Sequence, residues 1–367
     1  MMGDELDYVR QAIEGGHGSA SGPFSLRARE MINDWAEAPE IFLTTSCTAA
    51  LEMSALMLDL EPGDKVIVPS FTFVSSALAF VRAGAEIVFA DIEEETLSLD
   101  PASVAGLIDD HVKAVVTVHY GGIGGRINEL VELIPERVSL IEDNAHGLFA
   151  RKGNRPLGSF GRFSTLSFHE TKNFTCGEGG ALVVNDPSDT ARAWVLYDKG
   201  TDRQAFFRGE VDKYTWRDIG SSFGLSDYLA AYLVGQLEQK ERILAERQRV
   251  FERYLALLQP QADSLGVTLP TIPDDAVPGY HLFYALLPDS RSRSRVLESL
   301  RESGIGATFH YVPLHESPGG FRYGVAPHHL PTTESVAARL IRLPFHAALS
   351  NSAVDRVVDE FVRSAGQ

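Results

Sequence analysis

The chain has 367 residues, 44% of them apolar and 23% charged. That is globular composition in a chain too long for one hydrophobic core, so a large domain and a smaller one are expected. A formal net charge of -17 argues against a nucleic-acid partner, which would need a basic face, and no apolar run approaches the roughly 20 residues of a membrane-spanning helix.

The first seven residues, Met1 to Asp7, are acidic and lack the basic-then-apolar order of a secretion signal, so a cytoplasmic location is expected. From about residue 41 to 186 short β-branched runs alternate with helical stretches. The runs are 65–69, 86–91, 114–120, 138–143, 163–169 and 180–184. Several are nearly continuous in apolar residues, as strands buried on both faces should be. Helices are expected near 48–58, 71–83, 101–109 and 128–134, giving a doubly wound α/β layer with a mainly parallel sheet. Residues 201–225 are polar and aromatic, a poor candidate for regular structure. Residues 226–258 read as one or two long helices with Ser226 as N-cap. Strands near 281–287 and 307–312 and helices near 292–303, 333–341 and 351–363 complete an α+β tail. The expected division is 1–225 for the large domain with its N-terminal arm, and 226–367 for a connecting helix and the small domain.

In an open α/β sheet, ligands bind beyond the carboxyl ends of the strands. The run ending at Asp143 continues into Asn144-Ala145-His146, and the next leads through Ser167-Phe168-His169 to Lys172. A carboxylate, an imidazole and a lysine thus converge on one sheet edge. A desolvated lysine there is a Schiff-base nucleophile, and a nearby carboxylate would keep a pyridine nitrogen protonated, making the ring an electron sink. Thr44-Thr45-Ser46-Cys47-Thr48 runs into a strong helix former, offering free amides at Cys47 and Thr48 to a phosphate. Phe73, just past a strand end, can stack on a flat ring. Cys47 and Cys176 are too few for a disulfide framework or a four-ligand zinc site, and no metal is expected.

These segments, with Gly177-Glu178-Gly179-Gly180 and His310-Tyr311-Val312-Pro313-Leu314-His315, resemble the DegT/DnrJ/EryC/StrS sugar aminotransferase family of fold-type I pyridoxal-phosphate enzymes, over about residues 20 to 365. The resemblance implies a PLP-binding large domain and a smaller C-terminal α+β domain. It makes Lys172 the residue that binds the cofactor covalently and shuttles the proton, and Asp143 the partner of the pyridinium nitrogen. His146 would lie near the ring's phenolic oxygen and Phe73 on the ring face, with Cys47, Thr48 and Ser167 at the phosphate. Ser222, where many relatives carry asparagine, would face the phosphate of the neighbouring subunit in a homodimer with shared active sites.

The segment 206–222 is similar to the branch that aminates carbon 4 of a dTDP-4-keto-6-deoxyhexose, typified by dTDP-4-amino-4,6-dideoxygalactose transaminases. The implied reaction takes an amino group from L-glutamate, by way of pyridoxamine 5'-phosphate, and gives a dTDP-4-amino-4,6-dideoxyhexose of gluco or galacto configuration. Arg208, Lys213, Tyr214, His310, Tyr311 and His315 are the substrate-side candidates. A transaminase acting at carbon 3 is the alternative within the family, and Lys172 disfavours the related dehydratases, which carry histidine there. A non-catalytic nucleotide-binding module would need a G-x-G-x-x-G turn after the first strand, which is not present there.

Overall fold

The computed structural model describes residues 3–366. Two helices the sequence did not announce come first, α1 (Glu5–Glu14) and α2 (Pro23–Ala36), followed by β1 (Glu40–Thr44) and α3 (Cys47–Leu56). The layer continues with β2 (Lys65–Pro69), α4 (Ser75–Arg82), β3 (Glu86–Ala90), α5 (Pro101–Ala105), β4 (Val112–Val118), α6 (Ile127–Leu133) and β5 (Ser139–Asp143). A small hairpin, β6 (Arg151–Lys152) and β7 (Arg155–Pro156), precedes β8 (Phe163–Ser167), β9 (Gly180–Val184), α7 (Thr190–Tyr197) and the short α8 (Arg203–Phe207). Then come α9 (Asp227–Leu237), α10 (Lys240–Leu258), α11 (Ala262–Leu265), β10 (Ala276–Val277), β11 (Phe283–Leu286) and α12 (Ser290–Glu302). The chain ends with α13 (Pro318–Tyr323), β12 (Gly324–Val325), α14 (Pro331–Arg339), β13 (Leu340–Leu343) and α15 (Asn351–Ala365).

The main sheet has eight strands in the order β1-β9-β8-β5-β4-β2-β3-β12. Only β9 runs against the others, pairing antiparallel with β1 and β8; β5–β8, β4–β5, β2–β4, β2–β3 and β3–β12 are parallel. The α/β fold with a mainly parallel sheet is therefore as expected. Strand alternation explains the continuous apolar runs, because successive side chains enter different cores. Phe42, Val66, Val68 and Leu182 join one core under α3, α4 and α7. Ile41, Leu43 and Val183 face α2 and α9 on the other side, while Ile67, Val88 and Val115 face α5 and α6. A further core is built around β11 and β13, which pair antiparallel and are packed by α10, α12 and α15.

Local departures have physical causes. The expected strand at 307–312 does not form; only Thr308 bridges Arg342, and the segment then leads into Pro313 with Val312 exposed. β13 lies where the pattern suggested the end of a helix, because Leu340 and Ile341 are buried against β11 rather than on a helix face. Ser226 does cap α9, its hydroxyl accepting from the Tyr228 amide. α1 buries only Glu5 and Ala12 of its own residues and leaves the apolar Leu6 and Ile13 exposed.

Candidate active site

β1, β2, β5 and β8 all point their carboxyl ends to one edge, and the chemistry-bearing segments follow at once from that edge. Ser46 leaves β1 and caps α3 by accepting the Ala49 amide at 3.0 Å. Among the described residues nothing accepts from the Cys47 and Thr48 amides of that first turn, as expected for helix N-terminal groups held for an anion. β9 starts beside them, and only a glycine permits the approach: a Cβ on Gly180 would lie 2.4 Å from the Cys47 amide nitrogen. The Thr48 hydroxyl shares a 2.8 Å hydrogen bond with Ser75.

These residues line a cavity of about 400 Å³, within the ~300–1,000 Å³ of small-molecule sites. Cys47, Thr48, Phe73, Asp143, His146, Ser167, Lys172, His310 and Tyr311 all line it. Phe73 presents a ring that is 60% exposed. Asp143 is buried at the end of β5, where its Oδ2 accepts from Ser76 Oγ at 2.6 Å and its Oδ1 from the Ala145 amide at 3.2 Å. Ser76 in turn is bonded to Thr72 at 2.8 Å. Glu142, its neighbour on the opposite face, accepts from His119 and from the amides of Gly158, Phe160 and Gly161. That pins the loop into β8 and leaves Asp143 facing the cavity.

Lys172 follows β8 in a compact turn, its amide donating to the His169 carbonyl at 2.9 Å. Burial lowers its amine below the ordinary lysine range, with Arg342 adding to the effect and Cys47 and Asp143 opposing it. A lower pKa leaves more free amine near neutrality, as a nucleophile requires. The Cys47 thiol is pushed up to about 12, first by burial and then by Asp143, so it stays protonated; it donates to Thr165 at 3.5 Å.

Three histidines on the cavity wall are uncharged. Burial holds His146 and His281 well below the usual imidazole value and brings His310 to about 3. His146 and His281 stack at 4.0 Å. His146 Nδ1 accepts from the Gly121 amide at 3.3 Å, which leaves the proton on Nε2. Asn173 donates through Nδ2 to the Gly279 carbonyl, so its Oδ1 accepts the His281 Nδ1–H at 2.9 Å and His281 Nε2 carries a lone pair. Gly122, at φ +79, lies so close to His146 and Gly279 that a side chain there would strike both.

His281 and Arg342 line the cavity although the sequence reading passed over them. Both come from the C-terminal part and sit beside or within short apolar strands, where nothing in the local pattern marks them. The remaining candidates lie elsewhere. Arg208 pairs with Glu210, while Lys213 and Tyr214 are exposed on the same excursion. Ser222 lines an adjoining cavity with Thr45, Glu178 and Tyr197. His315 is bonded to Ser70 at 2.7 Å and faces Glu334.

The pattern of the DegT/DnrJ/EryC1/StrS aminotransferase family matches residues 1–362. The chain is 33% identical over 332 residues to the dTDP-4-dehydro-2,3,6-trideoxy-D-glucose 4-aminotransferase of Saccharopolyspora spinosa, covering 89% of this chain and 84% of that protein. It is similar to the aminotransferase TlmJ from Streptoalloteichus hindustanus, with a TM-score of 0.89, 30% identity and coverage of 99% and 96% of the two chains. The PLP form of Spr1654 from Streptococcus pneumoniae shares the fold at a TM-score of 0.89 and 22% identity, covering 98% and 95%. The chain belongs to the DegT/DnrJ/EryC1/StrS aminotransferase family and is a pyridoxal-phosphate-dependent transferase. The cavity fits that cofactor: a depressed amine, a fixed carboxylate, an exposed aromatic face and unclaimed helix amides surround one space.

Proposed function

We propose that this enzyme moves an amino group from L-glutamate to carbon 4 of a dTDP-4-keto-6-deoxyhexose, with Lys172 as the proton-transferring residue. The observation that carries the reading is the depressed amine of Lys172 in one cavity with the anchored carboxylate of Asp143. The carbon-4 assignment is supported by the Saccharopolyspora spinosa relative, named as a 4-aminotransferase, and by the resemblance in 206–222.

Bound pyridoxal phosphate supplies a carbonyl that exchanges amines and a pyridinium ring that stores the electron pair of a deprotonated carbon. The amides of Cys47 and Thr48, with the hydroxyls of Thr48 and Ser167, hold its phosphate. Asp143 keeps a proton on the ring nitrogen, and Ser76 holds that carboxylate in place. Phe73 covers one ring face. His146, with its proton on Nε2, would donate to the phenolic oxygen. Lys172 Nζ would hold the cofactor, and its free amine would take the proton from the donor's α-carbon. In the second half of the cycle the same nitrogen returns a proton to carbon 4 of the sugar, and the face it approaches sets the gluco or galacto product. The neighbouring subunit of a homodimer contributes Ser222 to the phosphate site. Lys213 and Tyr214 lie on the excursion that would meet the sugar nucleotide in that assembly.

The test is direct. NMR of the product made from dTDP-4-keto-6-deoxyglucose and glutamate should show an amino group at carbon 4; amination at carbon 3, or none, refutes the assignment. Lys172→Ala should lose the visible absorption of the lysine-bound cofactor and all multiple turnover.

A further inference from the structure

Arg342 brings a second cation to the wall of the Lys172 cavity. It sits on β13, with backbone hydrogen bonds to Thr308 on one side and pairing to Tyr284 on the other, so its Cα is fixed by two neighbours. Its side chain is half-buried, and its Nε is buried without any hydrogen-bond partner. Among the described residues it has no acidic partner, in a chain with 50 acidic residues against 33 lysines and arginines. Its one side-chain hydrogen bond is Nη1 to His310 Nε2, at 2.6 Å. A guanidinium only donates, so His310 Nε2 accepts and its Nδ1–H points to the Tyr120 hydroxyl at 3.1 Å. His310 therefore contributes no charge. It aims the arginine, and its own ring is held by a stack on Tyr311 at 3.9 Å.

The other charges at the wall do not neutralise this cation. Asp143 is occupied by Ser76 and the Ala145 amide, and Glu178 is exposed and faces His169. Burying a cation without a counter-charge is costly, and such sites are normally completed by an anion. The anion missing here has to be small, planar and close to Lys172, whose amine feels the charge of Arg342. The cofactor phosphate has its own donors in the reading above, the unclaimed amides at the N-terminus of α3. The carboxylate of an amino-acid donor meets all three requirements, since it is attached to the carbon that bears the reacting amine. Arginine is suited to it, as its planar donors match a carboxylate.

We propose that Arg342, aimed by His310, binds the carboxylate of the amino-acid donor and so selects donors by that group. The inference rests on the aminotransferase reading above and adds the residue that recognises the donor. Binding of glutarate to the unloaded protein, measured by calorimetry, tests it without turnover. In Arg342→Met the affinity for glutarate should fall about 10- to 100-fold, the range for losing a hydrogen-bonded charge, while that for thymidine diphosphate changes less than about threefold. In the loaded enzyme the KM for glutamate should rise by a similar factor, with that for the sugar nucleotide unchanged. Unchanged glutarate binding overturns the proposal. A loss confined to thymidine diphosphate also overturns it and gives the guanidinium to the nucleotide. Arg342→Lys, which keeps the charge but not the planar fork, carries the same comparison should the methionine variant fail to fold. If the unaltered enzyme transfers amino groups but Arg342→Met binds glutarate normally, only this inference falls. If the unaltered enzyme takes an amino group from no amino acid, the parent reading falls instead.

Discussion

Gly180→Ala isolates the role of the helix amides. A Cβ at this position would stand 2.4 Å from both the Cys47 nitrogen and the Ser46 carbonyl carbon, about 1 Å inside the 3.4 Å at which ordinary contact begins. Both obstacles are backbone, so no side-chain rotation relieves them. Gly180 is not in the left-handed region, so alanine meets no conformational penalty and the effect is steric. Either β9 or the first turn of α3 must shift, at a cost of about 1–3 kcal/mol for overpacking. A displaced turn weakens its hydrogen bonds to phosphate. Losing one such charged bond costs about 1.5–3 kcal/mol, or roughly 10- to 150-fold in affinity. The assay is titration of the unloaded protein with pyridoxal phosphate and with pyridoxal, following the visible absorption of the lysine-bound form. Pyridoxal phosphate should bind at least about tenfold more weakly, and pyridoxal, lacking the phosphate, nearly as before. An equal loss for both ligands, or no loss, would refute the assignment of these amides to the phosphate.

Two further outcomes follow from the buried charges. Lys172 has a folded-state pKa below its unfolded value, so between the two values the unfolded chain binds more protons and stability rises with pH. Lys172→Met should therefore raise the melting temperature of the unloaded protein near neutral pH, and the gain should shrink toward pH ~10.4, the unfolded lysine value; a gain that grows with pH contradicts this sign. Glu142 accepts four hydrogen bonds with no exposure. Glu142→Gln puts an amide donor against donors and should destabilise the fold by about 3–5 kcal/mol in denaturant titrations. A change under ~1 kcal/mol would show that His119 and the three amides find other acceptors.

The main layer was legible because its strands are buried on both faces, so β2, β3, β4, β5, β8 and β9 appear as apolar runs whatever surrounds them. Their carboxyl ends then located Asp143, Lys172 and the Cys47-Thr48 turn without tertiary information. The N-terminal helices were not legible. α1 packs on α9, more than two hundred residues away, and it buries Glu5 against Gln236 while the apolar Leu6 and Ile13 stay exposed. The stretch 307–312 misled for the converse reason. Its alternation suggested a strand, but Tyr311 is drawn into an aromatic cluster with Phe71 and Tyr120, and Pro313 ends any ladder.

The same contrast runs through the site. The residues proposed to face the cofactor come from one continuous layer, where sequence order and spatial order agree. The residues proposed for the donor side come from segments brought over that layer by packing. Asn173 is the hinge between the two sets: it follows Lys172 in the chain, yet its side chain joins Gly279 and His281 of the C-terminal part. Gly122 allows that part to approach within contact of His146. The tautomers of His281 and His310 are set by these contacts, by an amide and a guanidinium respectively, and no sequence spacing encodes them. The half of the cavity proposed for the cofactor is thus a property of the sheet edge, whereas the half proposed for the amino donor is completed by β13 and the residues before β11. On that proposal, variation in those two strands should change donor choice while leaving Lys172, Asp143 and the first turn of α3 intact.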